Sequence, residues 1–249
     1  MDATARLVSE RVFHDRQAAD RAAVLGADRL RFTDAVFLDH ETWVRPAFAT
    51  LGDLRGKRAL DYGCGHGMAA VTLARAGADV TAFDLSPGYV AETRRRATAN
   101  GVSVRGVVAD GEYLPFPAAS FDAVWGNAVL HHLDLDRAAA ELRRVLAPGG
   151  VAVFCEPWGG NPLLSFARRR LPYPGKHRTP DEQPLRPADL TPLRRHFPGV
   201  SVTGHQLLGM AGRVWRPLGR LGALDRPLTR AIPGLESWCR YVVVVLRMT

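Results

Sequence analysis

The chain has 249 residues, 47% of them hydrophobic, and a formal net charge of +8. That length buries one sizeable core and points to a single domain, residues 1–249, with embellishments. No stretch reaches the roughly 18 apolar residues of a membrane span, Met1-Asp2-Ala3-Thr4-Ala5-Arg6 lacks the apolar centre of a signal peptide, and the expectation is a soluble, cytoplasmic protein.

Residues 1 to about 50 mix apolar and charged positions at helical spacing (Val8, Val12, Phe13, then Ala22, Ala23, Leu25). This predicts two or three short helices with turns near Gly26 and Pro46. His14, His40 and Trp43 are the unusual residues of the segment.

The chain is organised around Ala59-Leu60-Asp61-Tyr62-Gly63-Cys64-Gly65-His66-Gly67-Met68. An apolar run ends on an acid, three glycines follow at alternate positions, and a helix-period segment runs from Met68 to Arg75. This reads as a strand, a tight glycine turn and a helix start, the first unit of a doubly wound α/β sheet. A helix N-terminus behind such a turn presents free N–H groups to a carboxylate or phosphate. A dinucleotide fingerprint, G-x-G-x-x-G, would place its third glycine where Met68 stands. The pattern here is D-x-G-x-G-x-G.

A second strand, Asp79 to Asp84, also ends on an acid, and Leu85 follows it. A carboxylate at this tip can accept from both hydroxyls of a bound ribose. Ser86 is placed to cap the next helix, which stops at Asn100-Gly101. A third strand, Val102 to Val108, leads into Ala109-Asp110-Gly111-Glu112. A fourth, Ala123 to Gly126, leads into Asn127-Ala128-Val129-Leu130-His131-His132. Asp134 or Asp136 caps a further helix, Ala147-Pro148-Gly149-Gly150 stops it, and Val151 to Cys155 is a buried fifth strand.

In this order of features, residues 58 to 156 resemble class I S-adenosylmethionine-dependent methyltransferases. The resemblance implies a Rossmann-like seven-stranded sheet, order 3-2-1-4-5-7-6 with strand 7 antiparallel and helices on both faces. It makes residues 1–50 a lid, 51–156 the cofactor-binding core and 157–249 the substrate side. The cofactor-binding residues it implies are Asp61, Gly63, Cys64, Gly65, Asp84, Leu85, Asp110, Gly111, Glu112, Asn127 and Ala128. By the same resemblance, Asp84 holds the ribose and Leu85 packs on the adenine. Asp110 and Gly111 bond the base, and main chain around Asn127 meets the ammonium group. The cofactor is then S-adenosyl-L-methionine and its product S-adenosyl-L-homocysteine. His131, four residues after Asn127, matches a histidine that acts as base in phosphobase methyltransferases. His132, His14 and Glu156 are the reserves. Cys64, Cys155 and Cys239 make neither a disulfide framework nor a zinc spacing, and no metal is expected.

The remainder has a different texture. Arg178 to Glu182 reads as a polar loop, Leu190 to His196 as a short helix, Gly199 to Thr203 as strand six and Arg240 to Arg247 as strand seven. Residues 161–249 hold 15 Lys+Arg against 5 Asp+Glu, whereas residues 1–160 hold 18 against 20. The insertion Leu207 to Pro233 places Arg213, Arg216 and Arg220 at i, i+3 and i+7, interrupted by Pro217. Such a basic face is either simply solvated or serves an anionic substrate, a carrier protein, nucleic acid or a lipid surface.

Three functions remain open. One is methylation of a small-molecule acceptor, anionic or carrier-bound, at O, N or C, as in natural-product tailoring. Another is methylation of nucleic acid or protein, against which no RNA-binding module or Asn-Pro-Pro-aromatic motif stands in the sequence. The last is a cofactor-binding protein without methyl transfer.

Overall fold

β1 (Arg58–Tyr62) is apolar because both of its faces are covered: Ala59 and Leu60 point to opposite sides and both are buried. It lies at the centre of a computed structural model that describes residues 3–170, 183–213 and 215–248. Around it stand β2 (Asp79–Asp84), β3 (Arg105–Val108), β4 (Phe121–Asn127), β5 (Leu146–Pro157), β6 (Gly199–His205) and β7 (Tyr241–Arg247). The sheet order is β3-β2-β1-β4-β5-β7-β6. β1 to β5 run parallel, and β7 is antiparallel to both β5 and β6. The expected order and the reversed seventh strand are therefore observed.

The chain opens with α1 (Ala3–Val24), α2 (Asp34–Leu38) and α3 (Val44–Ala49). α4 (Met68–Arg75) and α5 (Pro87–Ala99) follow β1 and β2. Phe37, Val44, Ala47, Ala70 and Leu73 from these helices pack with Trp125 on one side of the sheet. The other side receives Ala139, Leu142 and Val145 of α6 (Leu135–Val145), beside Leu60, Val124 and Ala152. α7 (Pro162–Arg170), α8 (Leu190–His196) and α9 (Asp225–Ala231) complete the helices named here, and Leu190 and Leu193 of α8 join that second cluster. Among the described residues, no helix is long and apolar enough to cross a membrane.

Several sequence expectations change. The N-terminal segment begins with one 22-residue helix, not with two or three short ones. Pro46 makes no turn: it sits in the first turn of α3, where a missing N–H costs nothing. β3 starts at Arg105 because Val102 still belongs to the end of α5, its N–H reaching Ala97 O at 3.1 Å past Gly101, whose φ is +69°. The helix stop expected at Ala147-Pro148-Gly149-Gly150 is observed, with α6 ending at Val145, but β5 starts at Leu146, not Val151, and runs through these residues. Its register with β4 jumps from Phe121↔Leu146 to Ala123↔Val151, so the extra residues bulge out and pairing resumes.

The basic insertion is not one α-helical face. Two 3-10 stretches, Gly209–Arg213 and Arg216–Leu224, flank Trp215, whose backbone is extended (φ −144°, ψ 112°), and α9 follows. The loop expected over Arg178 to Glu182 lies outside the described residues.

Candidate active site

The tips of four neighbouring parallel strands meet at one end of the sheet. After β1, Gly63, Gly65 and Gly67 all take positive φ (+70°, +47° and +79°). Gly67 also has no room for a side chain, since a Cβ there would stand 2.7 Å from the Thr93 Cα of α5. The loop is tied to β2 twice. The Cys64 N–H donates to Phe83 O at 2.8 Å, and the Gly65 N–H donates to Asp84 Oδ2 at 2.9 Å. Asp84 Oδ1 accepts the Ser86 N–H at 2.9 Å, and Ser86 caps α5 by accepting from the Tyr89 N–H. Burial pushes the Asp84 pKa up, and these two N–H donors oppose that shift.

At the β3 tip, Asp110 Oδ1 accepts the Glu112 N–H at 2.9 Å, and Gly111 O accepts the hydroxyl of buried Tyr62 at 2.7 Å. At the β4 tip, the Ala128 N–H donates to Cys155 O at 2.8 Å. Glu156, fully buried on β5, accepts the Val129 and Leu130 N–H groups at 2.9 Å each and meets His131 Nδ1 at 2.7 Å.

These tips enclose a cavity of about 220 Å³ whose wall includes Gly63, Gly65, Asp84, Leu85, Asp110, Gly111, Asn127 and Ala128. α1 forms its cover. Arg6, Leu7, Glu10, His14 and Gln17 line the cavity from one stripe of the helix, while Val8 and Val12 are 59% and 64% exposed. The cover is latched at both ends: Arg6 pairs with Glu112, and Arg21 donates to Glu92 at 3.0 Å. Inside the cover, Glu10 lies between two imidazoles, with His14 Nε2 and His132 Nδ1 each 3.3 Å from its carboxylate. Burial would raise the Glu10 pKa, but hydrogen bonds and charge from His132 and His14 hold it well below the usual carboxylate range. Burial would lower the His14 pKa, and Glu10 together with the charge of Asp84 raises it instead.

Of the candidate site residues singled out in sequence, Asp61, Cys64, Glu112, His131 and the reserve Glu156 lie outside this wall. Asp61 is buried beneath the glycine loop, accepts the Ala70 N–H of α4, and burial pushes its pKa up to about 7. The Cys64 thiol is buried and accepts from the Thr93 hydroxyl at 3.3 Å. Glu112 accepts the Asp134 N–H at 2.8 Å in addition to pairing with Arg6. The His131 side chain is 3% exposed and packed against Glu156. His14 and His132, the reserve bases, do face the cavity. Sequence reading passed over Arg6, Glu10, Gln17, Tyr62 and Tyr89. For those on α1 the available signal was their common stripe with His14.

The sheet order and the strand tips converging on one cavity define a Rossmann-like α/β domain of the methyltransferase type. Residues 60–154 match the methyltransferase domain family. Over that stretch the chain is similar to class I S-adenosylmethionine-dependent methyltransferases. It is similar to the demethylmenaquinone methyltransferase of Thermus thermophilus, 38% identical over 142 residues that cover 53% of this chain and 64% of the relative. It is also similar to the malonyl-[acyl-carrier protein] O-methyltransferase of Enterobacter lignolyticus, 42% identical over 107 residues, covering 43% and 41%. The chain thus spans less than two thirds of the length of the curated relatives it matches. Among solved structures, the [4+2]-cyclase SpnF superposes with a TM-score of 0.55 at 25% identity, covering 84% of this chain and 83% of that one.

Proposed function

We propose that the chain transfers the methyl group of S-adenosylmethionine to a small-molecule acceptor. The observation that carries this reading is the convergence of Gly65, Asp84 and Asp110, from three adjacent strand tips, on one cavity. In this reading the Asp84 carboxylate receives the ribose hydroxyls, Asp110 receives the adenine amino group, and Leu85 covers the base. Main chain near Asn127 receives the cofactor's ammonium group. The methyl carbon is already electrophilic, so the protein's work is to hold the acceptor's lone pair in line behind it, a contribution on the order of 7–11 kcal/mol. A bond forms from that lone pair to the methyl carbon. The bound cofactor would supply the methyl group from its sulfonium, the electrons of the carbon–sulfur bond staying on sulfur to leave neutral S-adenosylhomocysteine. A hydroxyl or amine acceptor also gives up its proton.

Titration calorimetry with S-adenosylhomocysteine tests the cofactor site, with Asp84→Ala and Asp110→Ala expected to weaken binding. Transfer from labelled cofactor to quinols, hydroxylated metabolites and carrier-bound acyl groups tests the acceptor class. The likeness to a cyclase supports a second reading, in which the bound cofactor is retained and no methyl moves. Appearance of S-adenosylhomocysteine with turnover separates the two. His131, packed on Glu156 behind the cavity wall, fits a positioning role for the β4 loop better than that of proton acceptor.

A further inference from the structure

The inward stripe of α1 is more polar than a cover needs to be. A lid helix that only closed a pocket would be expected to turn Val8 and Val12 inward, yet it presents Glu10 and His14 to the cavity. Glu10 and His14 are four residues apart on one helix, a spacing that stacks two side chains as neighbours. His132 comes from a separate element, the 3-10 turn Leu130–His132 beyond the β4 tip. One donor atom from each of the three lies within 4.8 Å of the other two. The side chains of Glu10, His14 and His132 are 12%, 25% and 16% exposed, and their open side is the cavity.

We propose that Glu10, His14 and His132 bind a divalent metal ion of the zinc, cobalt or manganese type, with its remaining positions open to the acceptor. Two imidazoles and one carboxylate form a three-ligand set that leaves room for exogenous donors. Magnesium and calcium prefer all-oxygen sites and fit this set poorly. Ligands bonded at about 2.1 Å stand about 3.4 Å apart in a tetrahedral site and about 3.0 Å apart at neighbouring octahedral positions. The Glu10 carboxylate is already 3.3 Å from each imidazole. What must close is the gap between the two imidazole donor nitrogens, which lie within 4.8 Å of each other. The thiols that would compete for such an ion, Cys64, Cys155 and Cys239, are all buried.

Cation binding stands independently of the methyltransferase reading. The cation's use rests on that reading: it would hold an acceptor through an ionisable oxygen and lower the pKa of that oxygen's proton. This narrows the acceptor class to molecules that offer a hydroxyl or enol oxygen beside the cofactor. It also replaces the sequence expectation of a metal-free enzyme.

The test titrates the full chain, freed of any histidine tag, with cobalt(II) and follows visible absorption of the bound ion, with zinc as competitor. The expected result is one equivalent bound, weakened roughly tenfold or more in each of Glu10→Gln, His14→Asn and His132→Asn. No uptake by the wild-type chain, or equal uptake by the variants, overturns the proposal. Should the variants loosen α1, X-ray absorption of the zinc-loaded wild type decides instead. Two imidazoles in the coordination shell support the site, and fewer than two overturn it. Calorimetry with S-adenosylhomocysteine on the metal-free protein reports separately on the cofactor site, so failure of either reading is distinguishable from failure of the other.

Discussion

The Asp84 carboxylate accepts the Gly65 N–H at 2.9 Å, so the acid at the tip of β2 holds the glycine loop at the tip of β1. One side chain thereby shapes two walls of the cavity. Asp84→Ala is expected to reduce S-adenosylhomocysteine affinity roughly ten- to hundredfold, the range for losing hydrogen bonds to a charged group. Calorimetry checks this, and unchanged affinity would remove Asp84 from the cofactor site.

Gly67 combines a φ of +79° with a Cβ position 2.7 Å from the Thr93 Cα. Gly67→Ala is expected to cost about 2 kcal/mol or more, from left-handed backbone strain and from pushing α4 off α5. A chain of this length should melt several degrees lower as a result. A melting temperature equal to wild type would mean the loop has another conformation.

Asp61 is fully buried, and its pKa stands at about 7 against an ordinary value of 3.8. The folded chain therefore binds a proton more tightly than the unfolded chain does. Stability should be full below pH 4 with respect to this group and decline as pH rises toward 7, at a slope on the order of 1.4 kcal/mol per pH unit where the two states differ. Asp61→Asn is expected to flatten that part of the profile. Urea unfolding at intervals across this range reads it, and an identical slope in the variant would contradict the assignment.

Glu156 serves two backbone donors and the His131 ring from a fully buried position. Glu156→Ala leaves those groups unsatisfied and is expected to cost on the order of 3 kcal/mol or more. His131→Ala should be milder and leave cofactor affinity near that of wild type. If an assay with an acceptor shows that His131→Ala keeps its melting temperature but loses the pH dependence of turnover, His131 is the proton acceptor after all.

The strand tips were legible because the sequence marks them with chemistry. Asp61 stands next to the end of β1 and Asp84 ends β2, glycines turn the chain after β1, and Ser86 and Asp134 cap α5 and α6. Sequence gave no comparable mark where geometry overrode local signals. Pro148-Gly149-Gly150 reads as a helix stop, and α6 does end just before it, yet pairing with β4 on both sides carries the strand across it, while the register with β7 begins only at Val151. Val8 and Val12 marked only helical spacing in sequence; α1 leaves both exposed and turns Glu10 and His14 to the cavity. Spacing from Asn127 put His131 ahead of His132 in sequence, yet the turn after β4 sends His131 to Glu156 and His132 to the cavity. The spacing of Arg213, Arg216 and Arg220 assumed an α-helix, which the extended Trp215 breaks.

β6 joins the sheet through β7 alone, although β7 is the later of the two in the chain. Until residues 241–247 have emerged, the main-chain donors and acceptors along one side of β5 have no neighbour, and β6 has nothing to dock on. Completion of the sheet is therefore a late step. A nascent or truncated chain passes through a stage with a bare parallel-sheet edge, the form most open to sticking edge to edge with another copy.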